Sequence, residues 1–544
     1  MSSNRTTTSI TCADLSFTWP DGTAVLDDLS LVVGPGRTGL VGVNGSGKST
    51  LLRLMAGELA PTSGAVRVSG TLGYLPQDVT LNADQRVEQA LGIAPVRAAI
   101  RAIEAGNTDE ETFAVVGDDW DVDERARAAL DRLGLEHVTL ERRIGELSGG
   151  ESVLLCLAAQ FIRRPDVLLL DEPTNNLDLD ARRRLNEAVA SWRGTMVIVS
   201  HDRELLDHVD RIADLRDGEV RWYGGGFTDY EAALEAEQEA AARMVRVAES
   251  DVRRQKKELA DARIKLDRRL RYGKKMYENK REPKVVMGER KRQAQVAAGK
   301  HRNMHIERLD EARERLTEAE EAVREDKEIR VDLPETEVPA GRTVLTLRDL
   351  RIRHGGRADL DVRGPERIAL VGGNGAGKTT LLRTIVGEIP AESGQVMTAV
   401  PTRYLPQRLD LLDEELTVAQ NVGAFAPGAT ANTVRARLAR FLFRGRRADQ
   451  PVGTLSGGER FRATLAALLL ADPPPQLLLL DEPTNNLDLA SVRQLTSALS
   501  SYRGALIVVS HDVAFLRELG ITRWLRLAAE SDGAPVRLTT TDPL

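Results

Sequence analysis

The sequence predicts an α/β protein made of two similar halves that flank a long helical hairpin. Three observations carry this prediction: short motifs that occur twice, alternating strand and helix patterns in both halves, and an uninterrupted helical pattern between them. Short apolar runs at 167–170 and 477–480 are typical of buried parallel strands. Strands that alternate with helices favour a parallel-rich sheet. At 544 residues the chain suits two or three domains.

Five motifs occur once in each half, in the same order. A glycine-rich loop and a Tyr-Leu-Pro-Gln segment return at a displacement of 330 residues, and the later motifs return at 308 or 310. The pairs are Gly42–Ser49 and Gly372–Thr379, Tyr74–Gln77 and Tyr404–Gln407, Leu147–Glu151 and Leu455–Glu459, Asp171–Asp178 and Asp481–Asp488, and Ser200–Asp202 and Ser510–Asp512. The first half therefore carries 22 additional residues, which fall in the region 94–131.

The region between the halves has the heptad pattern of a coiled coil. Apolar or small residues recur in steps of three and four in two stretches, which bury each other if the chain doubles back. The first stripe is Leu234, Ala241, Val245, Ala248, Val252, Leu259, Ala262 and Leu266, and the second is Leu309, Ala312, Leu316, Ala319 and Val323. A helix over 232–267 would extend about 50 Å at ~1.5 Å per residue.

The turn of this hairpin is strongly basic. Residues 263–302 contain 15 cations and four carboxylates, a net charge of +11 in a chain whose formal total is −7. Such a field suits a polyanion such as a phosphate backbone, and Tyr272 and Tyr277 can stack on bases; the plainer alternative is a solvated tip. The candidate RNA-binding residues are Arg268, Arg269, Arg271, Lys274, Lys275, Lys280, Arg281, Lys284, Arg290, Lys291 and Arg292.

Composition excludes several classes of protein. The two cysteines, Cys12 and Cys156, have no metal-ligand spacing and fit a reducing cytosol. The first 11 residues are polar, unlike a signal peptide, and the longest apolar runs are too short to span a bilayer. We expect a cytoplasmic protein without a membrane domain.

The repeated glycine loop, between a strand and a helix, predicts a phosphate site in each half. Its backbone N–H groups face a phosphate chain while Lys48 or Lys378 reaches the terminal phosphates. Ser49 and Thr379 offer hydroxyls to Mg²⁺, and Asp171 and Asp481 its carboxylates. The candidate ATP-binding residues of the loops are Gly42, Asn44, Gly45, Gly47, Lys48, Ser49 and Thr50 in the first half and Gly372, Asn374, Gly375, Gly377, Lys378, Thr379 and Thr380 in the second.

The predicted catalytic residues follow the apolar strands. Glu172 and Glu482 come directly after the acidic strand ends and are placed to polarise an attacking water. His201 and His511 follow the next strands, at the sheet edge where nucleotides bind in open α/β sheets. A lone glutamate there would be read as a surface carboxylate, but both occur in matched contexts. We predict contact of each histidine with the terminal phosphate.

These motifs together resemble the ATP-binding cassette superfamily. Two cassettes, no membrane part, DEPTNNLD twice and a charged helical linker resemble the ABC-F family, whose members are ATPases that bind the ribosome near the exit site. The resemblance implies two P-loop cassettes joined by a coiled-coil hairpin, with ATP and Mg²⁺ sandwiched head to tail inside one monomer. Lys48 would share its nucleotide with Ser456, Gly457 and Gly458, and Lys378 with Ser148, Gly149 and Gly150. Gln77 and Gln407 would contact ATP and Mg²⁺, and Trp19 would stack on adenine.

The sequence departs from the family pattern in several places. The second signature continues with Arg460 and Arg462, whereas the first continues Ser152-Val-Leu154 and has lost both cations. His354 stands where the second half would hold its adenine platform, and Asn176 and Asn486 stand where the family often has histidine. We therefore predict two hydrolysis-competent sites of unequal rate. The acidic insertion at 94–131 is either a short protein-contacting arm or, as we favour, helical filler.

We predict domains at 8–230, 231–336 and 337–544: a cassette, the linker and a second cassette. The predicted function is that of an ATPase that binds the ribosome in its ATP-closed state and acts through the linker on tRNA or the peptidyl-transferase region. Antibiotic protection and a housekeeping role in translation both remain open, as does the relative activity of the two sites. The alternative is the ATPase subunit of a transporter, for example a macrolide exporter, working with a separate membrane protein.

Overall fold

The computed structural model describes residues 8–77, 82–175, 177–216, 218–278, 284–321, 329, 331–353, 356–408, 410–529 and 536–543. The predicted α/β class is confirmed: along the chain, strands and helices alternate both before and after two long helices. The chain forms two compact units. One unit comprises residues 1–230 and 328–544, and the other comprises residues 231–327. Below, the first half is 8–230 and the second half is 337–544.

The first half contains two sheets. Its strands are β1 (Ile10–Thr18), β2 (Ala24–Val33), β3 (Gly36–Val41), β4 (Ser63–Val68), β5 (Leu72–Leu75), β6 (Val167–Asp171), β7 (Thr195–Val199), β8 (Arg211–Arg216) and β9 (Glu219–Gly224). The order β5-β6-β7-β3-β8-β9 forms a sheet that is parallel except at β9. The order β2-β1-β4 forms a separate antiparallel sheet, which the sequence reasoning did not anticipate.

Helices of the first half follow the parallel strands. They are α1 (Lys48–Met55), α2 (Val87–Ala90), α3 (Ala94–Glu104), α4 (Glu110–Val116), α5 (Val122–Arg132), α6 (Gly149–Arg163), α7 (Leu179–Ala190) and α8 (Arg203–Leu206), with a 3₁₀ turn at Ile144–Glu146. The strands β6 and β7 are buried along their whole length. This burial is the reason that they read as continuous apolar runs.

The additional residues of the first half form the helices α3, α4 and α5. Arg97 of α3 links this helix to α5 and to flanking residues: its Nε donates to Asp123 Oδ1 at 2.7 Å, its Nη2 donates to Glu141 Oε1 at 3.0 Å, and it also pairs with Glu88. Phe113 and Trp120 remain exposed, with ring centroids 6.1 Å apart. Whether these helices act as an arm or as filler stays a prediction.

The second half repeats this plan. Its strands are β10 (Thr343–Arg351), β11 (Arg357–Arg363), β12 (Arg367–Val371), β13 (Ser393–Thr398), β14 (Thr402–Leu405), β15 (Leu477–Asp481), β16 (Ala505–Val509), β17 (Arg523–Ala529) and β18 (Val536–Thr541). They form one sheet in the order β13-β10-β11-β18-β17-β12-β16-β15-β14, because a single parallel residue pair, Arg357 with Arg537, joins the antiparallel part to the parallel part.

Helices of the second half occupy the matching positions. The linker contributes α9 (Phe227–Glu278) and α10 (Lys284–Glu321), and a 3₁₀ turn at Pro334–Thr336 precedes the second half. The helices of the second half are α11 (Lys378–Ile385), α12 (Val418–Phe425), α13 (Ala431–Leu438), α14 (Gly457–Leu469), α15 (Leu489–Ser500) and α16 (Val513–Glu518), with 3₁₀ turns at Ala439–Phe441, Gly445–Asp449 and Val452–Thr454. The buried face of α14 packs in the same core as β15 and β16. The repeated motifs thus occupy equivalent positions in both halves.

The linker is formed by two helices, α9 (Phe227–Glu278) and α10 (Lys284–Glu321). Val252, Leu309 and Ala312 form a buried apolar cluster, with Leu259 and Leu316 packed against it. All five lie in the predicted stripes, so the chain doubles back as expected. The helices are longer than the predicted 232–267, and most of the basic segment is helical rather than an open turn. Val323 and the side chain of Leu266 lie outside the described residues.

Candidate nucleotide sites

The two glycine loops have the same backbone geometry. Gly42 and Gly372 have φ of 153° and 151°, and a Cβ at either position would lie 2.4 or 2.3 Å from a main-chain oxygen, of Leu215 or Leu527 respectively. Such a distance is a steric clash, so the loop can pass this strand only with glycine. Gly45, Gly47, Gly375 and Gly377 also have positive φ. Each loop curls directly into its helix, α1 or α11.

The loop lysines are buried and turn back onto their own loops. Lys48 Nζ donates to the carbonyl oxygens of Gly42 at 2.9 Å and Val43 at 3.1 Å. Lys378 Nζ does the same with Gly372 at 2.7 Å and Gly373 at 3.1 Å. Burial lowers the pKa of both ammonium groups against the pull of nearby carboxylates. An anionic phosphate chain would offset more of this desolvation cost, because it adds negative charge to that of the carboxylates.

Hydroxyl and carboxylate oxygens converge beside each lysine. Ser49 Oγ donates to Asp171 Oδ1 at 3.0 Å, and Thr379 hydrogen-bonds to Asp481. Tyr404 adds a hydrogen bond to Asp481 Oδ2 at 3.0 Å. These are hard oxygen donors that fit Mg²⁺, which usually takes one or two protein ligands together with phosphates and water. No group of three or more His, Cys, Asp or Glu that could by itself hold a metal ion is found in the described part of the chain.

The glutamate and histidine predicted to be catalytic lie next to each other in both halves. His201 Nε2 is 3.4 Å from Glu172 Oε1, and His511 Nε2 is 3.2 Å from Glu482 Oε1. The Nδ1 atoms of the two histidines are buried, and no described group hydrogen-bonds to them. Burial raises the pKa of both carboxyls and lowers the pKa of both imidazoles.

Backbone strain accompanies these glutamates. Glu172 and Glu482 have φ of 48° and 47°, in the left-handed region that a glutamate seldom occupies. Their amides donate to Val199 O at 2.8 Å and Val509 O at 2.9 Å, which holds the strained turn against the next strand. Strain of this kind persists only where the surroundings enforce it, and it is concentrated at functional sites.

A cavity of about 340 Å³ opens at the second glycine loop. Its lining includes the loop with Lys378, Thr379 and Thr380, the predicted metal contacts Gln407 and Asp481, and the pair Glu482 and His511. The sequence-predicted residues of the second half are therefore brought together. Leu177 and Arg182 of the first half complete the wall. We call this cavity site 2, and the matching region around Lys48 site 1.

The two halves meet through reciprocal hydrogen bonds at the glycine loops. Asn44 N donates to Asp488 Oδ2 at 2.9 Å, and Asn374 N donates to Asp178 Oδ2 at 3.3 Å. Asn44 also donates from its amide side chain to Asn486 O at 2.9 Å. Each loop is thus contacted by the end of the other half's DEPTNNLD motif. This contact line is called the seam below.

The signature motifs occupy helix starts. Ser148 and Ser456 cap α6 and α14, and each exchanges hydrogen bonds with the glutamate three residues later. Gly149 and Gly457 are exposed, and a Cβ on either would meet no atom within 4 Å. Gly150 is buried and Gly458 half-buried. The described lining of site 2 does not include Ser148, Gly149 or Gly150.

The glutamate of the signature motif has different partners in the two halves. In the second half Arg462 Nη2 lies 3.8 Å from Glu459 Oε1. The matching position 154 holds a buried leucine, and Glu151 instead pairs with His137 at 2.6 Å. In the first half, the glutamate of the signature therefore has a histidine from outside the motif as its partner. His137 could not be recognised from the repeat.

For several other predicted residues, the structure gives a position that does not test the predicted role. Trp19 packs in the core of the antiparallel sheet, with its ring 4.9 Å from that of Phe17, and Gln77 is exposed at the end of β5. Thr50 lies in the first turn of α1. His354 and Asn176 fall outside the described residues. The roles of all these residues stay predictions.

The predicted RNA-binding cations lie on the linker. Arg268, Arg271 and Lys275 are exposed on α9. Lys284, Arg290, Lys291 and Arg292 lie within α10, and Arg269 and Lys274 lie within α9, but their side chains are outside the described part, as are Lys280 and Arg281 altogether. None of the described helices has the length and apolar character that a bilayer crossing requires.

Sequence reasoning missed the residues that act across the seam. Asp178 and Asp488 were quoted within a motif but given no role, and Arg182 was not singled out. When the two halves are aligned position by position, Arg182 stands opposite Val492. That difference between otherwise matching segments is the sequence signal that could have identified Arg182.

Comparison with known proteins agrees with this geometry. The family model described as ABC transporter matches residues 26–175 and 356–485. The chain is 35% identical over 536 residues to the tylosin resistance ATP-binding protein TlrC of Streptomyces fradiae, covering 90% of this chain and 92% of that protein. It is 32% identical over 528 residues to the energy-dependent translational throttle protein EttA of Mycobacterium tuberculosis, covering 90% and 87%.

A solved structure of the archaeal ribosome recycling factor aABCE1 in complex with the ribosomal stalk protein aP1 shares the fold. Its TM-score is 0.54 at 21% identity, over 96% of this chain and 89% of that one. Two copies of the ATP-binding cassette in one chain, and relatives of this identity over nine-tenths of its length, establish the family. This chain is therefore a member of the ABC-F family of tandem-cassette ATPases, and it binds and hydrolyses ATP.

Proposed function

We propose that this ATPase binds the ribosome when ATP closes its two halves together, and that its linker then acts on tRNA or the peptidyl-transferase region. The observation that carries the proposal is the net charge of +11 on residues 263–302, in a chain of formal charge −7. Arg268, Arg271 and Lys275 are exposed near the end of a 52-residue helix. A concentrated cationic field of this kind binds phosphate backbones by releasing their counterions.

The relatives support this reading. One is named for tylosin resistance and another as an energy-dependent translational throttle. The second name states an action on translation, and we extend that action to this chain because its basic linker suits binding to RNA. Protection against an antibiotic and regulation of elongation are both compatible with an ATPase of this architecture. The proposed location is the cytoplasm, and the proposed domain boundaries are 8–230, 231–336 and 337–544.

We infer that closure adds the signature helices to the sites. In the present arrangement the seam is made by Asp178 and Asp488, while the signature glycines at 149 and 457 are open. A helix start with free N–H groups suits a terminal phosphate. Two nucleotides would therefore draw the signature of each half onto the glycine loop of the other.

We assign the chemistry to matched residues of the two sites. Glu172 and Glu482 take the proton of the attacking water, and His201 and His511 contact the terminal phosphate. Ser49 with Asp171, and Thr379 with Asp481, would hold Mg²⁺, which supplies charge neutralisation on the phosphates when it is bound. The lysines Lys48 and Lys378 reach the terminal phosphates when they leave their own loop carbonyls.

Sedimentation with ribosomes tests the proposal. The double variant Glu172→Gln/Glu482→Gln should co-sediment with ribosomes in ATP at moderate salt, because it closes without hydrolysing. In that background Arg268→Gln/Arg271→Gln/Lys275→Gln should weaken binding about tenfold or more and flatten its salt dependence, since about two to three counterions are no longer released.

A matched triple variant controls for charge. Arg243, Arg253 and Arg254 are also exposed on the same helix, but they already pair with Glu239, Glu249 and Asp251, respectively. Their replacement by glutamine should leave ribosome binding within about twofold, because paired surface ions contribute little. Equal loss in both triples, or recovery of the protein with membranes rather than ribosomes, would refute the proposal and favour the ATPase subunit of a transporter.

A further inference from the structure

Arg182 belongs to the first half, yet its side chain lines site 2 of the second half. It lies near the start of α7 and is 13% exposed. Its Nη1 donates to Asp202 Oδ2 at 2.9 Å and to His511 O at 3.5 Å, and its Nε donates to Leu177 O at 3.3 Å. The guanidinium is therefore fixed on both sides of the seam.

The main chain of His511 is held between two side chains. On one side Arg182 donates to its carbonyl oxygen, and on the other its own amide donates to Glu482 Oε2 at 3.3 Å. His511 is buried, and its ring lies 3.2 Å from the same glutamate. Arg182 thus reaches the predicted base and the predicted phosphate contact of site 2 through one peptide segment.

Charge adds to this geometry. Among the described residues that line site 2, the lysine and arginine side chains are Lys378 and Arg182. Burial raises the pKa of Glu482, and the positive charges of Lys378 and Arg182 offset part of that rise. Burial lowers the pKa of His511, and the same two charges lower it further. Asp202 and Asp512 lie close to the same guanidinium, so its charge is partly balanced. A nucleotide bound on the loop of Lys378 would meet this second cation from the opposite half.

The other half does not repeat this arrangement. Through the displacement of 310 that relates the DEPTNNLD motifs, the counterpart of Arg182 is Val492, which is buried in the core of the second half. The counterpart of Arg203 is Val513. Arg203 also crosses the seam, where it pairs with Glu518. The first half therefore contacts the second through arginines at two positions where the second half has valines.

We propose that Arg182 is a positioning residue given in trans to site 2, where it holds the His511 segment and Glu482 in register with the nucleotide and makes site 2 the faster of the two sites. The proposal rests on the catalytic roles assigned to Glu482 and His511 above. The competing explanation is a clip within the first half, in which the Arg182–Asp202 pair only stabilises the start of α7. That clip would serve both sites alike.

Steady-state ATP hydrolysis in two backgrounds separates these explanations. Glu172→Gln leaves site 2 as the active site, and Glu482→Gln leaves site 1. Arg182→Val gives the first half the residue that the second half has. We expect kcat to fall about tenfold in the Glu172→Gln background, with KM for ATP within about twofold, because misplacement of a catalytic group slows chemistry more than binding. In the Glu482→Gln background we expect less than about a twofold change.

Two further variants control the comparison. Arg182→Lys keeps a cation with several donors and should restore most of the lost rate, because the contacts to Asp202 and the carbonyl need no planar fork. Arg183→Val removes the neighbouring arginine, which is 67% exposed and faces Asp180 on its own helix. It should change neither background.

The outcomes are decisive. An equal loss in both backgrounds, or a loss no larger than that of Arg183→Val, overturns the proposal in favour of the clip. Failure of Arg182→Lys to recover any activity also overturns it, because the cation would then not be what matters. If Glu172→Gln alone abolishes hydrolysis, the assignment of Glu482 as a working base fails, and the role of Arg182 fails with it. That result differs visibly from an active parent that is insensitive to Arg182→Val.

Discussion

Asp488 accepts two separate hydrogen bonds, one within the second half and one from the first half. Its Oδ1 accepts from Ser491 N at 2.8 Å, which caps α15, and its Oδ2 accepts from Asn44 N at 2.9 Å across the seam. The side chain is buried. Although burial opposes it, the hydrogen bonds from Asn44 and Ser491 hold the pKa of Asp488 below its usual value. The carboxylate is therefore ionised at neutral pH, and the seam bond weakens only as the pH falls through that lowered value.

Substitution by serine separates the two bonds. A serine hydroxyl still caps the helix, but its single, shorter oxygen cannot also reach Asn44. A hydrogen bond to a charged acceptor contributes about 1.5–3 kcal/mol, and ~1.4 kcal/mol is a factor of ten in rate. If the bond holds the glycine loop of site 1 in its working position, Asp488→Ser should slow hydrolysis at site 1 about tenfold. The mutation lies in the second half, but its effect should appear in the first.

Site-specific hydrolysis is the assay. Turnover is measured in the Glu482→Gln background, where site 1 works, and in the Glu172→Gln background, where site 2 works. The mirror variant Asp178→Ser should affect site 2 instead, and less strongly, because its contact to Asn374 is 3.3 Å rather than 2.9 Å. A loss at site 2 from Asp488→Ser, or no loss at either site, would show that the seam contact does not position the loop.

Three further predictions concern the loop, the linker and the cysteines. Gly42→Ala should abolish binding of a fluorescent ATP analogue at site 1, because the new Cβ would lie 2.4 Å from Leu215 O. Leu309→Ala should loosen the linker by about 2–3 kcal/mol, seen as faster amide hydrogen exchange in both linker helices, because Leu309 is 6% exposed. Burial raises the pKa of Cys12 and of Cys156 to about 11, so at pH 8 only about one thiol in a thousand is ionised and alkylation should be slow until the protein unfolds.

Matched controls accompany these measurements. Gly341→Ala should leave nucleotide binding unchanged, because a Cβ there would meet nothing within 4 Å. Met244→Ala, on the same linker helix but 63% exposed, should leave hydrogen exchange nearly unchanged. Unaltered analogue binding in Gly42→Ala, unaltered exchange in Leu309→Ala, or rapid stoichiometric alkylation of the folded protein would each contradict the corresponding argument.

Much of the fold was predictable because each motif reflects a steric or burial requirement of its own short segment. Glycines at 42 and 372 occur where a chain passes a strand too closely for a Cβ, and aspartates at 171 and 481 end strands that are otherwise fully apolar. The stripes around Val252 and Leu309 follow helical spacing and do pack together. The antiparallel sheet β2-β1-β4 was missed because its strands mix exposed and buried residues irregularly and contain register shifts.

The sequence by itself determined the two ATP-binding halves, their glycine loops and the basic linker, because each depends on residues close together in the chain or on an exact repeat. Only the tertiary structure decided which groups face each site from the opposite half. Asn44 and Asp488 are 444 positions apart, and Arg182 reaches His511 across the seam rather than its own site. Such contacts depend on how the two folded halves are oriented relative to each other. The spacing of residues within one motif carries no information about that orientation.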